Sequence, residues 1–183
     1  MKKFVFLVSL VGLFALSAFA QTPNFAGTWK LDTSKLNEQM AARIESQTIT
    51  VEQTATEVKA TTATVRKQPP AGGGGGGGQG GGQGRGGFGG GGDGTATYKL
   101  DGSEVLTERE TPNGKIPTKT TAKIDGGKLN ISASTTFNGP NGEMTTTSKT
   151  TWELSADGKT LTVKSTRMTQ NGEMTTETVY NKS

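Results

Sequence analysis

The chain has 183 residues and a net charge of +4, with 20 Lys+Arg against 16 Asp+Glu, and it contains no histidine and no cysteine. These absences exclude disulfides, thiol catalysis, histidine-based acid–base chemistry and the usual zinc and haem ligands, so we predict no metal and no cofactor. The modest charge does not indicate a nucleic-acid partner.

The first 20 residues have the organisation of a secretory signal peptide. Lys2 and Lys3 precede an apolar run over residues 4–16, and small residues lead up to a cleavage point after Ala20. A membrane anchor is the alternative interpretation, but the run is shorter than the about 20 apolar residues that a spanning helix needs. We therefore predict a periplasmic or secreted protein without an integral membrane span, with residues 21–183 forming one domain.

The mature chain is poor in apolar residues and rich in threonine. Hydrophobic residues make up 30% of the full chain, many of them in the predicted signal peptide, and there are 31 threonines. Threonine favours strands but carries a hydroxyl group. This composition suits a β-barrel with a partly polar interior better than a dry sandwich.

Tight-turn signals divide the second half of the chain into strands. Asp-Gly and Asn-Gly pairs, which tolerate the positive φ angles of hairpin turns, alternate along the chain from Asp101-Gly102 to Asn171-Gly172. Between them apolar and polar residues alternate, as in half-buried strands. Consecutive hairpins form an antiparallel meander, in which the Asp-Gly turns lie at one end and the Asn-Gly turns at the other. Together with the first half, the predicted strands are 25–31, 47–53, 56–66, 95–100, 104–110, 116–124, 128–137, 144–154, 160–169 and 174–181.

Three features of the first half supplement this pattern. Gly27 and Trp29 share one face of the first strand, where we expect them to act as structural anchors. Leu36, Met40 and Ile44 recur every four residues, which predicts one helix over residues 34–45, capped by Ser34. This helix either plugs one end of the sheet or forms a lid over a ligand entrance. In the third strand, Val58 and Val65 fall on opposite faces, which suggests a bulge.

Residues 68–94 form a low-complexity segment between the third and fourth predicted strands. Residues 72–94 hold 18 glycines in 23 positions, a composition that cannot build a core and predicts a disordered loop. Residues 84–89 resemble an RGG box, but there is a single copy. The Lys-Ser/Thr pair and helix of a phosphate-binding loop do not follow.

Ten strands, a helical segment after the first and the Gly-x-Trp of that strand resemble the calycin superfamily. Residues 25–31 look like the opening strand of its fatty-acid-binding branch, and Thr178-Val179-Tyr180 looks like the last strand. The chain also resembles exported bacterial lipocalin-like domains. The resemblance implies an up-and-down barrel, either closed or open at one seam, capped by one short helix. It also implies a ligand portal at the helix end, to which strand direction assigns the glycine-rich segment and Asn113-Gly114.

The resemblance and the strand parity together give a set of candidate ligand-binding residues. The family's carboxylate-binding arginine lies two residues before the final tyrosine, where this chain has Thr178. Arg167 is an even number of residues from inward Leu161 and Val163, so it should lie on the same face of its strand. It could therefore replace the family's arginine as an anion site. The alternative is that its strand ends early and Arg167 reaches solvent. The full set of predicted ligand-binding residues is Arg167, Tyr180, Tyr98, Phe137 and Trp152.

The acidic residues lie mostly at turns or on the polar face, which does not favour a paired-carboxylate enzyme. We therefore predict an exported, non-catalytic and monomeric protein that binds a small apolar or amphipathic molecule in its barrel. The alternative is a structural or interaction protein of the cell envelope, without a small-molecule ligand, that uses the glycine-rich loop for contacts.

Overall fold

The computed structural model describes residues 22–68, 93–111, 114–139, 142–169 and 172–183. The predicted signal peptide and most of the glycine-rich segment lie outside these residues. One ten-stranded antiparallel sheet has the order β4-β3-β2-β1-β10-β9-β8-β7-β6-β5. The strands are β1 Gly27–Leu31, β2 Ile44–Gln53, β3 Glu57–Arg66, β4 Gly94–Lys99, β5 Val105–Thr111, β6 Gly114–Asp125, β7 Lys128–Gly139, β8 Gly142–Leu154, β9 Thr160–Thr169 and β10 Gly172–Lys182.

This order confirms the predicted meander, because each strand pairs with the next one in sequence, except β4 with β5, and β1 also pairs with β10. The Asp-Gly connections therefore lie at one end, which we call the closed end. The strands joined through Asn113, Asn141 and Asn171 meet at the opposite end, which we call the open end. Between β6 and β7 the tight turn is formed by Gly126 and Gly127, both at positive φ, rather than by Asp125-Gly126.

The barrel is nearly closed, with a seam between β4 and β5, the two strands at the ends of the sheet order. Within the described ranges the seam is bridged near the closed end, where Asp101 pairs with Lys123 and the Gly102 N–H donates to the Ala122 carbonyl at 3.1 Å. The predicted up-and-down barrel is therefore confirmed, and it is nearly closed.

The predicted helix over residues 34–45 is wrong in length. Residues Thr33–Lys35 form one 3-10 turn, and helix α1 covers only Glu38–Ala41. The reason is a second cap, because the Asn37 side chain accepts a hydrogen bond from the Met40 N–H at 2.9 Å and restarts the helix there. Ile44, which was expected on the helical stripe, is instead the first residue of β2 and is buried.

The irregularity suggested by Val58 and Val65 lies in the partner strand. Ile44 pairs with Arg66 and Ser46 with Val65, so the extra residue is Glu45 of β2. Val58 is fully buried, whereas Val65 is 53% exposed. The two valines therefore do lie on opposite faces, without a bulge in β3 itself.

The positions of β3 and β4 make the glycine-rich segment removable. These strands are paired from Glu57↔Lys99 to Thr62↔Gly94, and the Asp93 side chain accepts a hydrogen bond from the Thr64 N–H. We expect that replacing residues 71–92 with a two-residue turn, while keeping Asp93, changes the free energy of unfolding by less than about 1 kcal/mol, because loop length affects closure entropy only weakly. Urea denaturation of the mature protein measures this, and a loss of several kcal/mol would show that the segment packs or pairs.

Candidate functional site at the open end of the barrel

The half of the barrel nearest the closed end is a packed core. Trp29, Trp152 and Phe25 are fully buried, and the rings of Phe25 and Trp152 meet edge to face with centroids 5.9 Å apart. The Trp29 Nε1–H donates to the Phe25 carbonyl at 2.8 Å. This half is therefore filled by side chains and leaves little room for a ligand.

Towards the open end, pairing between neighbouring hairpins stops while the strands continue. The last pair between β6 and β7 is Thr118↔Thr135, and the last between β8 and β9 is Ser148↔Arg167. The short β1 pairs with β10 only as far as Leu31↔Tyr180 and leaves the rest of β10 without a described partner on that side. Three hairpins, β5–β6, β7–β8 and β9–β10, thus extend beyond the packed core with their inward faces accessible.

The inward positions of this open half are lined mainly by hydroxyl groups. Thr118 and Thr135 pair through their hydroxyls at 2.9 Å, and the Thr178 hydroxyl donates to the Val163 carbonyl at 3.4 Å. All of these inward hydroxyl residues are half-buried, and they are Thr62, Thr64, Thr118, Thr135, Thr146, Ser148, Thr176 and Thr178. The open half therefore has a polar wall that water reaches, as the threonine content predicted.

Apolar side chains stand among these hydroxyls nearer the tips of the hairpins. Phe137 of β7 pairs with Met144 of β8, and both are half-buried. Ile116 of β6 is also half-buried, while Met174 of β10 is 51% exposed. The lining thus combines hydrogen-bonding groups with exposed apolar surface, which is the pattern that an amphipathic molecule requires.

Arg167 belongs to this open half. It pairs with Ser148 on one side and with Met174 on the other. Arg167 lies on the same inward-facing side of β9 as Leu161 and Val163. Its side chain is exposed, although β9 continues to Thr169. Arg167 therefore reaches solvent at the point where pairing with the β7–β8 hairpin ends, and not because its own strand ends early.

The other predicted ligand-binding residues lie at different depths. Tyr98, Trp152 and Tyr180 are buried in the core, and only Phe137 shares the open half with Arg167. Burial raises the pKa of both tyrosines, so these phenols stay neutral. Tyr180 pairs with Leu161, six residues from Arg167 along β9, which corresponds to about 20 Å. Arg167 and Tyr180 therefore cannot hold the same polar group.

A buried hydrogen-bond chain at the boundary of the two halves was missed in the sequence. The Tyr180 hydroxyl donates to the side-chain Oε1 of Gln47 at 2.6 Å, and the side-chain Nε2 of Gln47 donates to the Thr64 hydroxyl at 2.8 Å. Gln47 lies on the same inward face of β2 as Ile49 and Val51. An amide side chain at an inward position was the sequence signal that could have indicated this hydrogen-bond chain. The chain links β10, β2 and β3 where the core ends.

The described residues were also compared with the requirements of a metal site and of a membrane-spanning helix. Over these ranges no group of three or more acidic side chains is arranged to hold a metal ion. None of the helices in the same ranges is both long and apolar enough to cross a membrane.

Comparisons with known proteins give similarity among solved structures. No protein-family model matches the sequence, and no curated protein matches it. A solved structure of zebrafish ileal bile acid-binding protein complexed with cholic acid is similar, with 17% identity over 87% of this chain and 98% of that chain and a TM-score of 0.47. Ten meandering strands, closed by pairing between β1 and β10 and carrying one short helix after β1, fit the calycin-like fold that the sequence indicated.

Proposed function

We propose that this chain is an exported, non-catalytic protein that binds a small amphipathic molecule in the open half of its barrel. The supporting observation is the contrast between the two halves of the interior. The closed half is filled by Trp29, Trp152 and their neighbours, whereas the open half presents accessible hydroxyls, Phe137, Met144 and the guanidinium of Arg167. A ligand would therefore lie near the hairpin tips and not deep in the barrel.

Each part of the lining has a role in this proposal. The apolar portion of the ligand packs against Phe137, Met144 and Met174, and this contact removes their apolar surface from water. The threonine hydroxyls hydrogen-bond polar groups on the ligand. Arg167 binds an anionic head group, because its planar guanidinium can donate two hydrogen bonds to one carboxylate.

Titration with a fluorescent fatty acid tests this proposal. We expect saturable binding by the mature wild type and an affinity about tenfold lower for Arg167→Ala, which is the effect of losing one charged hydrogen bond. The matched control is Lys164→Ala, which removes the same charge from the outward face of the same strand and should bind like the wild type. A fluorescent fatty alcohol should not distinguish Arg167→Ala from the wild type.

An interaction protein of the cell envelope is the second candidate function. It is supported by two apolar side chains on the outer face of the barrel, Met168 and Leu106, each of which is more than half exposed. Wild-type protein that shows no saturable binding of the fatty acid would contradict the first function and favour this one. Native mass spectrometry of protein purified from its own envelope separates the two, because a retained small molecule supports the first and a retained protein supports the second.

A further inference from the structure

The edge of β10 towards the open end has no strand beside it among the described residues. β1 pairs with β10 only as far as Leu31↔Tyr180, although β10 extends well beyond that pair. The Asp32 N–H then donates to the Val179 carbonyl at 2.8 Å, and the chain leaves β10 there to form the 3-10 turn. Residues 173–178 therefore form an unpaired strand edge of about 20 Å, which we call the free edge.

Backbone direction along β10 identifies the groups that the free edge presents. The Lys182 N–H donates towards β9, to the Lys159 carbonyl at 2.8 Å, whereas the Ser183 N–H donates towards β1, to the Thr28 carbonyl at 2.9 Å. Successive residues of a strand direct their backbone groups to opposite sides, so the odd-numbered residues of β10 face away from β9. The free edge thus presents backbone N–H and C=O groups that form no hydrogen bond with other described residues, and these belong to Glu173, Thr175 and Glu177.

The free edge is accessible from solvent. Its odd-numbered residues are exposed and point to the outer face of the barrel, whereas Met174, Thr176 and Thr178 alternate with them and point to the interior. The 3-10 turn and α1 lie against β2. Unpaired N–H and C=O groups along an exposed edge are a template for an additional strand, so the free edge can bind an extended peptide.

The two glutamates of the free edge oppose pairing with a second copy of this chain. In the antiparallel register that pairs the whole free edge, Glu173 of one copy lies opposite Glu177 of the other, and like charges at directly opposite positions destabilise a strand pair. Neither glutamate forms an ion pair with a described residue, because Glu173 lies opposite Met168, and Lys164, opposite Glu177, is beyond ion-pair distance. The free edge therefore keeps its acidic character and favours a basic partner.

We propose that the free edge binds an extended segment of another polypeptide, in which basic and apolar residues alternate, as an added strand antiparallel to β10. Backbone hydrogen bonds to Glu173, Thr175 and Glu177 supply the affinity. The outward residues of the segment are basic where they lie opposite the two glutamates, at Cβ distances of about 5 Å. Its inward residues are apolar because they lie beside Met174, which is 51% exposed, and remove that apolar surface from water.

Titration of the isotope-labelled mature protein with two capped peptides, followed by NMR at constant ionic strength, tests the proposal. The peptides are Thr-Lys-Val-Thr-Val-Lys-Thr and the same sequence with both lysines replaced by glutamate. We expect saturable shifts of the backbone amides of residues 173–178 with the lysine peptide, and binding of the glutamate peptide that is weaker by about tenfold or more. Methylation of the central threonine nitrogen of the lysine peptide should abolish saturable binding, because that N–H donates to the free edge.

Charge reversal provides the matched control. Glu173→Lys with Glu177→Lys should reverse the preference, so that the glutamate peptide binds more tightly. Glu110→Lys with Glu143→Lys changes the net charge equally at exposed positions on β5 and β8, and it should retain the wild-type preference. Thr175→Pro removes one N–H from the free edge, a change that edge strands tolerate, and should abolish binding of the lysine peptide.

The proposal is overturned if the lysine peptide does not saturate, if both charge reversals change the preference equally, or if the methylated peptide binds as tightly as the unmodified one. Sedimentation of the wild type should show a monomer. A dimer that Thr175→Pro disperses would instead assign the free edge to a second copy. Titration with the fluorescent fatty acid reports on the open half, so the proposed function and this inference can fail separately.

Discussion

Trp29→Ala is expected to leave little folded protein, because it removes one of the two largest fully buried side chains from a core with few large apolar residues. Truncating a buried aromatic residue costs about 3–5 kcal/mol, which approaches the whole stability of a domain with so thin a core, near the lower end of the about 5–15 kcal/mol of globular proteins. The substitution also removes the indole N–H that donates to the Phe25 carbonyl. Urea and thermal denaturation of the mature protein, followed by circular dichroism, measure the loss.

Two further variants separate the contributions at this position. Trp29→Phe keeps an aromatic ring but lacks the N–H, and it should retain more stability than Trp29→Ala. Lys30→Ala, at the neighbouring outward and exposed position, should change the free energy of unfolding by no more than about 0.5 kcal/mol. An unchanged melting temperature for Trp29→Ala would contradict the assignment of Trp29 as a core anchor.

The strands could be predicted because local signals fix them. Turn glycines and alternating hydrophobicity predicted all ten strands, and β9 begins and ends at the predicted residues, 160 and 169. The meander then follows, because short connections place consecutive strands side by side. The helix was less predictable, because the apolar repeat of Leu36, Met40 and Ile44 competes with the Asn37 cap, and that cap is a side-chain geometry.

The candidate site could be predicted only in part, since parity gives the face of a residue but not its depth in the barrel. Arg167, Trp152 and Tyr180 all have the inward parity that the sequence indicates. Their depth depends on where neighbouring hairpins stop pairing, at Ser148↔Arg167 and Leu31↔Tyr180, and no local pattern encodes those positions.

Gly27→Ala is expected to destabilise the protein by about 1–3 kcal/mol through backbone strain. Gly27 has φ +135°, a conformation that side chains rarely permit, within the strand that closes the barrel between β2 and β10. A Cβ atom there would also lie 2.9 Å from Cε of Lys182, whose Nζ is 5.2 Å from the centre of the Trp29 ring. Strain should outweigh this contact, because the end of a lysine side chain can move.

Combining the substitution with Lys182→Ala distinguishes strain from steric contact. Lys182→Ala alone removes an exposed cation–π contact and should cost about 0.5–1 kcal/mol. The double variant gains space for the new methyl group but keeps the unfavourable φ, so most of the Gly27→Ala loss should persist in urea denaturation. If the double variant were instead as stable as Lys182→Ala alone, the cost at Gly27 would come from the lysine contact and not from the backbone.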